Sequence, residues 1–184
     1  MNNELFQGEF VTSSRILYTP SEFARTNLFY LQEIGTLQAQ KPHISKRQNL
    51  MSYLFFYLTS GSGILNYDGK DYCIQSGDCV FINCQTPYFH YSSDDLWTLN
   101  WIHFYGSTIH SIYLKYMERG GQPIFHSNDI ACIDTHWKKL YQLASSSDYI
   151  KDMKINEQLF SILTLSWNKA GIPMPNCSLS NSNH

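Results

Sequence analysis

The stretch that decides the fold is residues 52–106, SYLFFYLTSGSGILNYDGKDYCIQSGDCVFINCQTPYFHYSSDDLWTLNWIHFYG. YLFFYL is a continuous aromatic and aliphatic run, the pattern of a strand covered on both faces. The Gly-Ser-Gly at 61–63 ends it. ILNYDGKDYCI then gives two short strands joined at Asp68-Gly69, a hairpin signal because both residues tolerate positive φ. Ser76-Gly77-Asp78 makes a further turn and CVFIN the next strand. Pro87 marks a bend before FHY. After a polar loop at 92–95, LWTLNWIHF reads as one long strand. Short strands at this spacing predict an antiparallel sandwich or small barrel.

Outward from this block, residues 1–14 read as an irregular N-terminal arm, and LFYLQEIGTLQAQ (28–40) as the first strand or two. After Gly106 the period changes. Ile109, Ile112, Tyr113, Tyr116 and Met117 share a helical face, placing a helix near 108–119, stopped by Gly120-Gly121. QPIF is a short returning strand. Ile130, Ile133, Trp137, Leu140, Tyr141 and Ala144 form a second helical stripe, entered through Ser127-Asn128-Asp129 as candidate caps. Ile155, Leu159, Phe160, Ile162, Leu163 and Trp167 form a third. The expected organisation is mainly β with C-terminal helices. A barrel occupies 15–127, a helical segment 128–170, and a polar, disordered tail 171–184. The two final stripes can pack on each other, on the barrel or on a second copy.

Composition narrows the function. With 184 residues, 43% hydrophobic and 15% charged, the chain can build one cored domain and is not a disordered sequence. A net charge of −2 and no basic run beyond Lys46-Arg47 do not make a phosphate-binding face. Five cysteines without CxxC spacing suggest neither a disulfide framework nor a zinc ribbon. The first ten residues lack a signal pattern and no apolar run reaches membrane-spanning length, so the expected setting is cytoplasmic. The Asn176-Cys177-Ser178 sequon is read as chance.

The chemistry the residues permit points to binding. No His-x-His puts two ligands on one strand face, and His90 and His103 lie on separate strands without a third ligand, so neither metal nor cofactor is expected. There is no G-x-S-x-G elbow, P-loop or dinucleotide fingerprint. Along 97–104, strand parity puts Trp97, Leu99, Trp101 and His103 on one face. Two indoles and an imidazole make a stacking wall with a polar handle, suited to a sugar ring or flat heterocycle. Tyr91 and His90 approach from a neighbouring strand, and Arg47 offers a fork of donors to hydroxyls or a carboxylate. The alternative is that the tryptophans fill a core and Arg47 is solvated.

The ordered set of Y-x5-(T/S)-x-G-x-G, the Asp-Gly hairpin, Gly-Asp before a Pro…His-Tyr bend, and W-I-H-F-x-G resembles the N-terminal sensor domain of AraC-type transcription regulators, from about Gly35 to Trp167. The resemblance implies a cupin-like jelly-roll barrel followed by an α-helical hairpin that dimerises. A small polar effector, often a sugar, enters the barrel, with the N-terminal arm folding over it. It also implies that Trp101 and Tyr91 match pocket positions of the family's arabinose-binding member, with the tryptophan stacking on the sugar. Arg47 falls within one residue of that member's pocket arginine. A pocket histidine there corresponds to Leu99 here, which removes a polar contact and argues against arabinose itself. The first-motif histidines of metal-using cupins are missing. The helix-turn-helix units expected after position 170 are absent from this sequence, so DNA binding would belong to a further C-terminal domain. A small cupin enzyme of isomerase or dioxygenase type using His90 and His103 is the rival from another class, and a filled-barrel dimerisation module is a third.

Overall fold

A computed structural model of the chain describes residues 11–168. Its strands are β1 (Val11–Leu17), β2 (Tyr30–Ala39), β3 (Ile44–Arg47), β4 (Tyr53–Ser60), β5 (Ser62–Tyr67), β6 (Lys70–Gln75), β7 (Asp78–Asn83), β8 (Tyr88–Ser92), β9 (Thr98–Tyr105) and β10 (Ile124–His126). The helices are α1 (Glu22–Asn27), α2 (Ile109–Glu118), α3 (Ile130–Ala144) and α4 (Lys151–Trp167). They form an antiparallel jelly roll: a six-stranded sheet in the order β1-β2-β9-β4-β7-β10 faces a four-stranded sheet in the order β3-β8-β5-β6.

Local chemistry sets the turns and helix ends. Asp68 and Gly69 take φ values of 53° and 74°, the paired left-handed conformation of a two-residue hairpin, and join β5 to β6. Gly120, at φ 85°, ends the α2 segment. The Asp129 carboxylate accepts from the Cys132 N–H and caps α3.

The larger sheet is buried on both faces, and residue parity sorts its side chains into two cores. Tyr53, Phe55 and Tyr57 on β4, Phe81 on β7, and Ile102 and Phe104 on β9 pack outward beneath α2, α3 and α4. Leu54, Phe56 and Leu58, with Val80, Ile82, Leu99 and Trp101, point into the barrel. Full burial of each such side chain is worth about 1.5–3 kcal/mol, so the two layers supply most of the driving force. The final helices therefore pack on each other and on the barrel's outer face. The Tyr57 hydroxyl donates to Asp134 at 2.7 Å, Tyr18 to Asp152 at 2.6 Å, and the Phe29 N–H to the Asn156 side chain at 2.9 Å.

Two features depart from the expected layout. Strand β1 begins at Val11 and pairs with β2 along its length, so residues 11–14 are sheet where an irregular arm was expected. The short helix α1 had no periodic signal. It is nucleated by Ser21, whose hydroxyl accepts from the Ala24 N–H. The tail expected at 171–184, and residues 1–10 of the arm, lie outside the described residues.

Candidate ligand pocket

Three structural details bring a set of polar side chains to one end of the barrel. The first is a bulge in β2. Its pairing with β9 runs Leu31 to Phe104 and then Glu33 to His103, leaving Gln32 without a partner. An extra residue reverses the alternation beyond it. Leu31 therefore faces the helices, while Glu33 turns inward beside Gly35 and Leu37. The second is β3, where Ser45 and Arg47 face in and Ile44 and Lys46 face out. The third is β8, whose Tyr88, His90 and Ser92 face in.

Glu33 is the hub of this cluster, with only 5% of its surface exposed. Its carboxylate accepts from Arg15 at 2.6 Å and from the Trp101 indole N–H at 2.9 Å. Arg47 reaches the same two oxygens with both terminal nitrogens, each at 3.4 Å. Burial alone would raise the carboxyl pKa. Arg47, with His103 and Arg15, more than offsets it and holds the group below the usual carboxylate range. The Trp101 indole lies across Gly35, its partner on β2, where a Cβ would collide with the ring. Glycine there is thus a packing requirement. Trp97 crosses Gly63 in the same way.

Above the Glu33 hub lies a cavity of about 30 Å³, walled by Arg47, Tyr88, His90, Trp101 and His103, with Leu37, Leu54, Phe56 and Leu99 as its apolar side. Such a volume holds a water molecule or two. A larger guest must shift the wall, one side of which is β3, a four-residue strand at the edge of its sheet that pairs with β8. Two polar atoms in this wall are unmatched. Among the described residues the Tyr88 hydroxyl interacts with the Cys84 thiol but has no nitrogen or oxygen partner, and His90 Nδ1 has no hydrogen-bond partner. Burial lowers the pKa of both His90 and His103 to about 3, with the Arg47 charge adding to the effect, so both rings are neutral at pH 7. His103 is oriented by Ser52, 2.9 Å from its Nδ1.

Four of the six residues singled out from the sequence, Arg47, His90, Trp101 and His103, thus surround one cavity. Two do not. Tyr91 follows His90 directly, so it must point to the opposite face of β8. It is 37% exposed and stacks on Phe89 on the outside of the barrel. Trp97 faces inward as parity required but is fully buried, packed between His43 and His90 and not on the cavity wall. Glu33, Arg15 and Tyr88 were missed. Among the described residues no group of three His, Cys, Asp or Glu side chains could hold a metal ion. Cys79 and Cys84 are buried free thiols, and burial pushes the Cys84 thiol up to about 12, so it is not a nucleophile at neutral pH.

The fold is thus a jelly roll with helices packed on one sheet and, between its sheets, a small cavity whose wall is part polar and part apolar. The family model described as the AraC-like ligand binding domain matches residues 32–163, and the chain belongs to that family. Its fold is similar to the crystal structure of the AraC-like transcriptional activator CuxR (TM-score 0.56, 11% identity), covering 94% of this chain and 66% of that one. Matches of lower score include a cupin 2 conserved barrel protein from Leptotrichia buccalis (TM-score 0.40, 20% identity, 51% of this chain and 40% of that one). Another is plu4264 from Photorhabdus luminescens (TM-score 0.41, 18% identity, 64% and 94%). No curated protein sequence matches significantly.

Proposed function

We propose that this domain is the effector-sensing half of an AraC-type transcription regulator, non-catalytic and cytoplasmic, that binds a small polar molecule of sugar size. DNA binding would fall to a C-terminal domain beyond this sequence. The observation that carries the reading is the pair of buried polar atoms, the Tyr88 hydroxyl and His90 Nδ1, set in the cavity wall without a nitrogen or oxygen partner among the described residues. A buried unmatched polar group costs about 1–3 kcal/mol, which a ligand supplying hydrogen bonds to these two would recover. Trp101 would give the ligand a face to stack on. A signal has a short route outward, because the Trp101 carbonyl accepts the Trp137 indole N–H of α3 at 3.3 Å.

Self-association through the C-terminal helices completes the proposal. On α4, Met153 and Phe160 lie two turns apart and are each about half exposed, at 52% and 53%, with exposed Tyr149 just before the helix. Sedimentation of the chain should give a dimer that Phe160→Asp dissociates. A monomer unaffected by the change contradicts this part. No helix of the described residues is long and apolar enough to cross a membrane.

Thermal denaturation against mono- and disaccharides, sugar acids and amino acids, with and without a chelator, tests the sensor reading. A ligand at about 100 times its dissociation constant adds roughly 2.7 kcal/mol, a rise of about 5–10 °C. The expected result is a rise with one chemical class that chelator does not alter. A flat panel with a fall on chelation would favour the cupin enzyme.

A further inference from the structure

We infer that the molecule this cavity takes carries a carboxylate, with the Arg47 guanidinium as its partner. The inference rests on reading the barrel as an effector pocket and adds the charge of the effector to it. Arg47 is nearly buried, its side chain 15% exposed, and forms part of the cavity wall. Its carboxylate partner among the described residues is Glu33, whose close contacts are already made by Arg15 at 2.6 Å and Trp101 at 2.9 Å. Arg47 holds that carboxylate at 3.4 Å through both terminal nitrogens, well beyond the 2.7–2.9 Å of a charge-assisted hydrogen bond. The arrangement is a fork presented to a planar anion but filled at long range by one whose lone pairs are shared with other donors.

The rest of the wall agrees with this. None of the cavity-lining residues is acidic. The Tyr88 hydroxyl can donate as well as accept, and the neutral His90 ring carries one donor and one acceptor nitrogen. A carboxylate offers acceptors to Arg47 and Tyr88 together, whereas a neutral hydroxyl leaves the guanidinium charge as loosely matched as before. Arg47 can follow such a guest because β3 is a short edge strand. When it moves, Glu33 keeps Arg15 and Trp101, so the exchange leaves no carboxylate stranded.

Calorimetric titration of the whole chain with matched pairs decides the matter: D-galacturonate against D-galactose, and D-glucuronate against D-glucose, at pH 7.5. One acid is expected to bind at least about tenfold more tightly than its neutral sugar. Arg47→Gln should bring that ratio near one, and Arg47→Lys, which keeps the charge without the fork, should restore part of it. Circular dichroism of both variants separates lost binding from lost fold. If a neutral sugar binds as tightly as its acid, the charge inference falls and the sensor reading stands. If only an uncharged molecule outside these pairs binds, the inference falls as well. If no small molecule binds at all, both fall.

Discussion

Glu33→Gln should be the most damaging conservative change in the barrel, lowering stability by about 3–5 kcal/mol and the melting temperature by roughly 6–20 °C. The substitution preserves the side chain's shape and leaves an acceptor for the Trp101 indole. What it removes is the negative charge against which Arg15 and Arg47 are buried, their side chains 11% and 15% exposed and Glu33's 6%. Breaking a buried pair costs far more than the pair contributes net, because the abandoned charge remains desolvated. Urea denaturation of wild type and variant measures the effect. Equal midpoints would mean the guanidiniums are hydrated, and Glu33 would lose its place as the hub.

The second large effect is on pH. His90 and His103 are held neutral by burial, their pKa values lowered from 6.5 to about 3. Between those values the unfolded chain takes up protons that the folded chain refuses. Stability is therefore fully present above about pH 6.5 and falls as pH drops. Two such groups give a slope of up to about 2.7 kcal/mol per pH unit, or about 5–10 °C per unit. His43, lowered by burial, acts in the same direction. Glu33 contributes elsewhere: its folded pKa is depressed from 4.5, so its stabilisation is present above that value and is lost as pH falls through the folded one. The window between pH 4.5 and 6.5 therefore isolates the histidines. Melting curves at half-unit steps should fall steadily there, and His90→Gln should reduce the slope. A flat profile would mean that the rings are already hydrated or paired.

Much of this architecture could be read from the sequence because local and global signals agreed. Asp68-Gly69 needed positive φ and had the residues for it. The alternation along 97–104 sorted Trp97, Leu99, Trp101 and His103 to the interior and Ile102 and Phe104 to the helix side, as found. The α3 and α4 stripes marked two amphipathic helices but not their partner, since they could equally cover each other, the barrel or a second copy. The hub of the cavity could not be read in the same way. Strict alternation puts Glu33 on the side of Leu31, beneath the helices, and only the bulge at Gln32 turns it inward. A bulge depends on cross-strand pairing, which one strand's residues do not encode. Arg15 was hidden for a related reason: β1 is mostly polar and half exposed, and its partner β2 fixes which residues face in. Tyr91 shows the opposite error. Both the reading of the neighbouring strand and the motif match assigned it to a pocket, although its neighbour His90 and it cannot share a face of one strand.

A small molecule is expected to bind between the sheets against Trp101. The most direct measurement is the indole N–H resonance of Trp101 in a ¹⁵N spectrum, assigned by its loss in Trp101→Phe, followed as the ligand identified by thermal shift is added. This signal and the ring signals of His90 and His103 are expected to move together with a single dissociation constant, while the outward-facing Tyr91 and Phe89 do not respond. Movement confined to the outer face, or to α3 and α4 with Trp101 unchanged, would place the ligand elsewhere and contradict it.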